Sequence, residues 1–423
     1  MRESPYPLEK SLGMRYYASD TPGIGGRLRE RAEDFAVEEV ALSPGNEGPY
    51  LVCRLTKKNW EMQRAAREIA RQLGISHRRI SWTGTKDTHA LTTQAIAIYG
   101  ISEADLARVS LRDIEIVPVG RSRQPLLLGG HAANRFSVTI RDTRAPDLEG
   151  EVAAVAETCA RGIPNYYGIQ RFGVARPVTH LVGLHVLRGD LEGAVTCYVG
   201  WTGPGESPAV RKAREEFLSS RDAAAALRSF PQTLTYERAL LHHLVSRPGD
   251  YAGALRVLPP RLLSLFVSAF QSFLYNCVVS SRMERLGDEF TVPQPGDRLV
   301  FPDGREDVVT PPMLAAARTM AARGRCRVAV AIPGCRPLHP AGDDDREMAL
   351  LLSRHGIGPG DFARAAEIAG VPYEGTLRPV ALSTAVSTRI EGRDVTLSFT
   401  LEPGCYATTV CREFMKADPS SMA

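Results

Sequence analysis

The chain has 423 residues, of which 43% are hydrophobic and 24% charged, a composition typical of a globular protein with two domains or one domain with a large insertion. This composition argues against disorder along most of the chain. The formal net charge of +4 is mildly basic and does not by itself indicate a nucleic-acid partner. Six of the 52 Lys and Arg residues are lysines. Arginine holds phosphates and bases better than lysine, but codon bias explains the excess of arginine equally well.

Eight cysteines occur without a C-x-x-C pair, so we expect reduced cysteines and no zinc finger. The N-terminus lacks the apolar core of a signal peptide. Polar residues interrupt the most apolar stretch, residues 262–279, which is typical of a buried helix rather than a membrane span. We therefore expect a cytoplasmic protein without a membrane partner.

The first part of the chain predicts mixed α and β structure. Strand formers are concentrated at residues 35–40 and 51–55, and apolar residues recur at helical spacing between residues 61 and 73. A strand at 80–82 precedes a turn, and alternating patterns predict further strands at 95–99 and 136–140. A helix is predicted at 151–160 and ends at a Gly-Ile-Pro sequence.

Helical patterns dominate from about residue 180 to about residue 371, at 209–218, 236–245, 260–286, 311–322 and 346–354. Within this part only residues 297–309 indicate a small hairpin, and the acidic run 343–345 is expected to be a solvated loop. A strand pattern returns at 395–401 and is followed by a helical tail to Lys416. The order predicts a helical insert in a sheet domain.

Four polar and aromatic clusters are candidates for function. Residues 84–94 place Lys86, Asp87 and His89 on a loop between predicted strands, although such a pair is more often a surface turn. Residues 165–173 combine aromatic residues with Asn, Gln and Arg, as in a base-stacking surface, and a loop packed in the core is an equal alternative. Residues 268–276 favour a core helix, and residues 375–379 a turn that re-enters the sheet.

Three further stretches complete a pattern: residues 29–39, Asn134-Arg135-Phe136, and residues 406–413. These three stretches and the four clusters follow one another along the chain in the order of the motifs of a known family. On this basis the chain resembles the TruD family of tRNA pseudouridine synthases over nearly its whole length. The resemblance implies an α+β fold, with a mixed, largely antiparallel sheet catalytic domain of the pseudouridine synthase type. It places that domain at residues 1–175 and 377–423, and a mainly helical inserted domain at residues 176–376.

The resemblance also implies which residues act. The aspartate that follows the lysine of the loop, Asp87, is the catalytic carboxylate, and the basic residue of the N-terminal motif is Arg29, where lysine is common. The substrate-pocket residues are Asn134 and Phe136. Ala133 stands where the family usually has glycine, and it would be strained if a turn there needs positive φ. The expected substrate-binding set is completed by Phe35, Lys86, Asn165, Gln170 and Arg171.

The implied reaction breaks the bond between ribose C1′ and uracil N1, rotates the base and rejoins it through C5. It contains no redox or phosphoryl step, so the resemblance implies no metal and no organic cofactor. In agreement, the sequence lacks a Walker loop, a dinucleotide fingerprint after a strand, and an H-E-x-x-H motif. The implied substrate is the uridine at position thirteen in the D arm of tRNA, and we expect a monomer.

Two other functions stay open. The first is an RNA-binding or RNA-folding module without catalysis, which the intact Lys86-Asp87 pair argues against. The second is a hydrolase of glycosidic bonds. Such enzymes usually need two carboxylates at a defined separation, and the sequence pairs no second one with Asp87.

Overall fold

The computed structural model describes residues 1–40, 44–84, 86–203 and 205–422. Its strands, in chain order, are β1 (Arg2–Glu3), β2 (Tyr16–Tyr17), β3 (Phe35–Val40), β4 (Tyr50–Lys58), β5 (Ile80–Trp82), β6 (Leu91–Tyr99), β7 (Ile114–Ser122), β8 (Ala133–Ile140), β9 (Ile163–Pro164), β10 (Arg298–Val300), β11 (Glu306–Val308), β12 (Arg327–Ile332), β13 (Thr376–Pro379), β14 (Ala381–Leu382), β15 (Ser387–Glu391) and β16 (Asp394–Leu401). Its α-helices are α1 (Pro7–Ser11), α2 (Met62–Leu73), α3 (Glu103–Leu106), α4 (Leu148–Arg161), α5 (Thr179–Arg188), α6 (Leu191–Gly200), α7 (Pro208–Ser220), α8 (Ala223–Ser229), α9 (Thr235–Ser246), α10 (Tyr251–Arg256), α11 (Pro260–Leu286), α12 (Leu314–Ala322), α13 (Asp343–His355), α14 (Pro359–Ala369) and α15 (Ala407–Met415).

These elements form two compact units. The helical unit comprises Met1–Asp20 and Pro164–Leu382, and the sheet unit comprises Thr21–Ile163 and Ser383–Ala423. The catalytic and inserted domains expected from the sequence have other borders, and that division stays a prediction.

The sheet unit is built on one large sheet with the strand order β15-β16-β8-β3-β6-β4-β7, and β5 also pairs with β6. Neighbouring strands run antiparallel, except β3 and β6, which are parallel. The mixed, largely antiparallel sheet that was predicted is therefore confirmed.

Strand β8 shows why this sheet has one buried face. Buried Asn134, Phe136 and Val138 alternate with exposed Arg135 and Ser137, as expected when successive side chains of a strand point to opposite faces. Phe136 lies opposite Val37 of β3 and Phe399 of β16 in the strand registers.

Ala133 occupies the first position of β8, opposite Val40. It is not one of the described residues with positive φ. The alanine therefore fits the backbone without the strain that a left-handed turn would have imposed.

Helix α2 covers part of the buried face. The Glu61 side chain accepts hydrogen bonds from the amides of Gln63 and Arg64 at the N-terminus, and Gly74 ends the helix in the left-handed conformation. The buried residues Met62, Ala66, Ile69 and Ala70 pack with apolar residues of β4, β5 and β6. The predicted helix at residues 61–73 is confirmed.

The core of the helical unit is α11. By length and composition it is apolar enough to cross a membrane, but 67% of the relevant window is buried inside the protein. Its neighbour α5 approaches it so closely that a Cβ atom on Gly183 would lie 2.0 Å from the carbonyl oxygen of Phe266. Only glycine permits this backbone contact.

The helical unit also contains a four-stranded sheet in the order β11-β10-β12-β13. The predicted hairpin at residues 297–309 is present as β10 and β11. The expectation that this part contains no other strands was wrong, because β12 is buried on both faces and lacks the alternation that identifies a strand. The prediction for residues 375–379 was wrong as well: Thr376–Pro379 forms β13, which pairs with β12 in this small sheet.

Candidate active site

Asp87 lies on the loop that joins β5 to β6 in the sheet unit. Its Oδ2 atom accepts a hydrogen bond from Nη2 of Arg29 at 2.6 Å. The side chain of Asp87 is 49% exposed and that of Arg29 13% exposed, so the carboxylate faces solvent while its partner is mostly enclosed. Such charge-assisted hydrogen bonds are short and fix the orientation of the carboxylate. Thr85, in the same sequence cluster, lies outside the described residues.

Arg29 is held in place by contacts on three sides. Its guanidinium carbon lies 4.2 Å from the centroid of the Phe35 ring, a cation–π distance. Its backbone adopts φ of +61°, and its carbonyl oxygen lies 3.1 Å from Nε2 of His89. Nδ1 of His89 in turn lies 3.0 Å from the side-chain oxygen of Asn59. Because a carbonyl only accepts, Nε2 carries the proton in the contact with Arg29.

Lys86, next to Asp87, is bound to a buried carboxylate. Its Nζ forms an ion pair with Oε1 of Glu39, whose side chain is 0% exposed. The other oxygen of Glu39 accepts hydrogen bonds from Thr83 Oγ1 and from the amide of Ala95. The backbone pairing of the parallel strands β3 and β6 ends at Glu38, so the Glu39 carboxylate forms its hydrogen bond to β6 beyond the end of that ladder. Lys86 therefore anchors the loop to β3.

Asn134 belongs to the same buried polar network. Its Nδ2 lies 3.1 Å from Nε2 of His131, and Nδ1 of His131 is 3.9 Å from Oε1 of Glu39. Oδ1 of Asn134 is buried and has no hydrogen-bond partner among the described residues. A buried acceptor of this kind is costly unless it binds a donor, which makes Asn134 a candidate for contact with a ligand.

Phe136 is enclosed by two other aromatic rings. Its ring stacks on Phe399 with centroids 5.4 Å apart, and it meets Phe35 edge-on at 6.2 Å. Phe136 also borders a surface cavity of about 360 Å³ together with Val37 and Arg135. The residue thus links the ring that supports Arg29 to the core of the sheet unit. The cavity lies mainly along the opposite face of the sheet, to which Arg135 and Ser137 point.

A second lysine lies within the electrostatic range of Asp87. Lys57 is fully buried in β4, and its Nζ donates to the carbonyl oxygen of Trp60 at 2.6 Å. Burial lowers the pKa of Lys57 to about 8, against the opposing influence of the negative charges of Glu61 and Asp87. The positive charge of this site therefore titrates in the slightly alkaline range.

The expected residues Asn165, Gln170 and Arg171 lie in the helical unit. Asn165 is buried, its Oδ1 accepts from Arg378 at 2.8 Å, and its Nδ2 donates to the carbonyl of Pro379. Arg171 donates to Ser272 of α11, and Gln170 is partly buried in the short 3₁₀ helix Ile169–Arg171.

Three of the sequence clusters therefore meet in one network within the helical unit. Asn276 of α11 accepts from the amide of Tyr167, and the guanidinium of Arg378 lies 4.1 Å from the Tyr167 ring. Tyr275 donates to the carbonyl of Pro379 at 2.6 Å. These three motifs are far apart in the sequence but in contact in the structure. Their polar residues bind one another, which supports a structural role for them.

Sequence reasoning did not assign a role to Glu39, Thr83, His131 or Lys57. The sequence did contain a signal for Glu39. It is an acidic residue at a position that the alternation of the strand predicts to be buried, and a buried charge needs a partner. Thr83 and His131 lie in irregular segments without periodicity, so nothing in the sequence placed them beside Glu39.

No group of three or more His, Cys, Asp or Glu side chains in the described ranges could hold a metal ion. The comparisons with known proteins concern the whole chain. The sequence profile of the family described as tRNA pseudouridine synthase D (TruD) matches residues 11–414.

A relative from Methanococcoides burtonii, named "Probable tRNA pseudouridine synthase D", is 36% identical, and the alignment covers 98% of this chain and 99% of the relative. A relative of the same name from Halobacterium salinarum is 37% identical over the full length of both chains. The crystal structure of a protein from Methanosarcina mazei, titled "Putative tRNA pseudouridine synthase D (TruD)", superposes with a TM-score of 0.84 at 33% identity, over 99% of each chain.

The fold and these relatives define the class as an RNA-modifying isomerase. The chain belongs to the tRNA pseudouridine synthase D (TruD) family.

Proposed function

We propose that this enzyme converts the uridine at position thirteen of the tRNA D arm into pseudouridine, with Asp87 as the catalytic carboxylate and without a metal or organic cofactor. The hydrogen bond from Arg29 to Asp87 carries the proposal, because it presents an oriented carboxylate at the surface of the sheet unit. We further propose that the protein acts in the cytoplasm as a monomer.

The reaction is an isomerisation, so its atoms balance without a second substrate. The bond between C1′ and N1 breaks, the uracil turns, C5 bonds to C1′, and the proton lost from C5 is balanced by the proton gained at N1. Asp87 either bonds to C1′ for the duration of the turn or takes a ribose proton, and each route returns it to the carboxylate at the end. Both routes require the ionised form of the carboxylate, and the guanidinium of Arg29 would hold that carboxylate in a fixed orientation.

The remaining residues of the sheet unit supply positioning. The ion pair of Lys86 with Glu39 fixes the residue next to Asp87, and the unpaired Oδ1 of Asn134 is an acceptor for a donor of the base. The everted base would stack against Phe136, whose ring lies beside Phe35 and so close to Arg29, the partner of Asp87.

The test incubates the full chain with an unmodified tRNA transcript and maps pseudouridine with a carbodiimide adduct that blocks reverse transcription. We expect one strong stop at position thirteen, with no added metal and with a chelator present. A stop at another uridine alone contradicts the assigned position. Tight binding without any stop favours the binding module, and release of free uracil favours the glycosidic hydrolase.

A further inference from the structure

The connection between β7 and β8 carries two unusually exposed leucines. Leu127 is 72% and Leu128 is 62% exposed, the highest values among the large apolar side chains that the structure describes. Single exposed leucines are common on protein surfaces and need no explanation. Two adjacent ones form a contiguous apolar patch, here called the tip of the connection between β7 and β8.

This tip is fixed rather than loose. The amide of Leu126 donates to Ser81 Oγ at 3.0 Å, and the amide of Gly129 donates to the carbonyl of Thr83 at 2.7 Å. The amide of Gly130 closes the turn on the carbonyl of Leu127 at 3.0 Å. The two leucines therefore stand between anchor points, and their exposure is imposed by the backbone.

The anchors place the tip beside the loop of Asp87. Ser81 and Thr83 belong to β5 and to the segment that leads directly into that loop. Thr83 precedes Asp87 by four residues, and four extended residues span at most about 14 Å. The Thr83 anchor of the tip is therefore close to the backbone of Asp87.

The surroundings of the tip suit a polyanion with flat apolar rings. Leu126 lines a cavity of about 450 Å³ with Val119 and the exposed Arg54. Arg123, close to the tip in sequence, is also exposed and pairs with Glu47 at 2.8 Å. Arginine next to exposed apolar side chains is the combination that holds phosphates while apolar groups contact bases.

We propose that Leu127 and Leu128 form a wedge that inserts into the base stack of the substrate RNA beside the target uridine. The wedge occupies the space that the everted uridine leaves and so prevents the base from returning before Asp87 reacts. Apolar side chains that separate base steps act in this way in other nucleic-acid-binding proteins. The inference rests on the proposed function, since it presumes an RNA substrate whose target base is stacked.

The test compares two RNAs in single-turnover assays of the full chain. One is the folded tRNA transcript, and the other is the same transcript with D-arm changes that leave the target uridine unpaired. We expect Leu127→Ser/Leu128→Ser to slow modification of the folded tRNA by about tenfold or more, since base eversion then lacks its support, and to change the rate on the opened RNA less than about twofold.

Two controls complete the design. Leu127→Met/Leu128→Met keeps an apolar tip and should retain the wild-type rate on both RNAs. Leu350→Ser replaces an exposed leucine of α13, 44% exposed, and should also leave both rates unchanged.

An equal loss on both RNAs, or no loss on the folded one, overturns the wedge. Wild-type enzyme that modifies the folded tRNA but not the opened RNA also overturns it, because a folded D arm is then a requirement in itself. Wild-type enzyme that modifies neither RNA contradicts the proposed function, and the wedge with it.

Discussion

Glu39 and Lys86 form an ion pair in which the carboxylate is fully buried, so the residue next to Asp87 is attached to β3 rather than to the strand that the loop enters. The ion pair fixes the position of a loop that would otherwise be a surface turn. The contribution of this ion pair to stability can be measured separately from any direct role of Lys86 in substrate binding.

We expect Glu39→Gln to destabilise the protein by about 3 kcal/mol, because it leaves a largely buried ammonium without its anion. Urea denaturation monitored by circular dichroism measures this loss. Glu39→Gln/Lys86→Met should recover most of the stability but not the turnover, since the loop then lacks its anchor. Wild-type turnover in the double variant would contradict a role for the pair in positioning Asp87.

Asp87→Asn should abolish turnover while changing the Kd for tRNA by less than about threefold, because an amide keeps the shape but neither attacks nor accepts a proton. Single-turnover assays and filter binding measure the two quantities. The control is Asp142→Asn, which replaces another exposed, arginine-paired aspartate, in this case paired with Arg27. Near-normal rates in Asp87→Asn would remove the carboxylate from the mechanism.

Arg29→Ala should lower kcat by about tenfold to a hundredfold, because one charge-assisted hydrogen bond to the carboxylate is lost. Arg29→Lys retains the charge and should recover a large part of the rate. Arg27→Ala, in the same segment, removes an exposed arginine and is the matched control. If Arg29→Ala and Arg27→Ala behave alike, the contact with Asp87 has no catalytic consequence.

Phe136→Ala combines two effects that the structure lets us separate. Removal of a ring stacked on Phe399 should cost about 3 kcal/mol or more of stability through the cavity it leaves. Phe136→Leu fills most of that space without an aromatic face, so it should retain more stability but still lower the turnover through lost base stacking, worth roughly 1–3 kcal/mol. Full activity of Phe136→Leu would limit Phe136 to a packing role.

Lys57 predicts a pH dependence of stability. Its pKa is about 8 in the folded protein and 10.5 when exposed, so between these values the unfolded chain binds the additional proton. The free energy of unfolding should therefore rise with pH from about 8 to about 10.5, by up to ~1.4 kcal/mol per pH unit from this group. Subtracting the urea-denaturation curve of Lys57→Met from that of the wild type isolates the slope. Identical slopes would show that Lys57 does not titrate in this range.

The sequence predicted those elements whose side chains alternate between core and solvent. Strand β3 was placed at residues 35–40, as the structure has it. Strand β6 was predicted only from residue 95, because Thr92 and Gln94 are polar residues at buried positions. The part of that strand that the sequence did not reveal is the part next to the loop of Asp87, where polar residues replace the apolar pattern.

Pairings between distant segments were beyond prediction. The acidic run 343–345 was expected to be a solvated loop, but it begins α13, with Asp344 buried against Arg282 and Arg285. The family resemblance indicated both Arg29 and Asp87 as site residues, whereas the contact of Glu39 with Lys86 requires the register of β3 and β6. Periodicity along one strand contains no information on such a register.

The parallel pairing of β3 with β6 spans only three residue pairs, from Ala36 opposite Leu91 to Glu38 opposite Thr93. Every other junction along the main order of the large sheet has a longer ladder, so local opening should begin at this one. Opening of the junction between β3 and β6 would separate the segment of Arg29 from the loop of Asp87 while the rest of the sheet stays folded. Activity should therefore be lost on warming before global melting, and amide exchange at residues 91–93 should report it first.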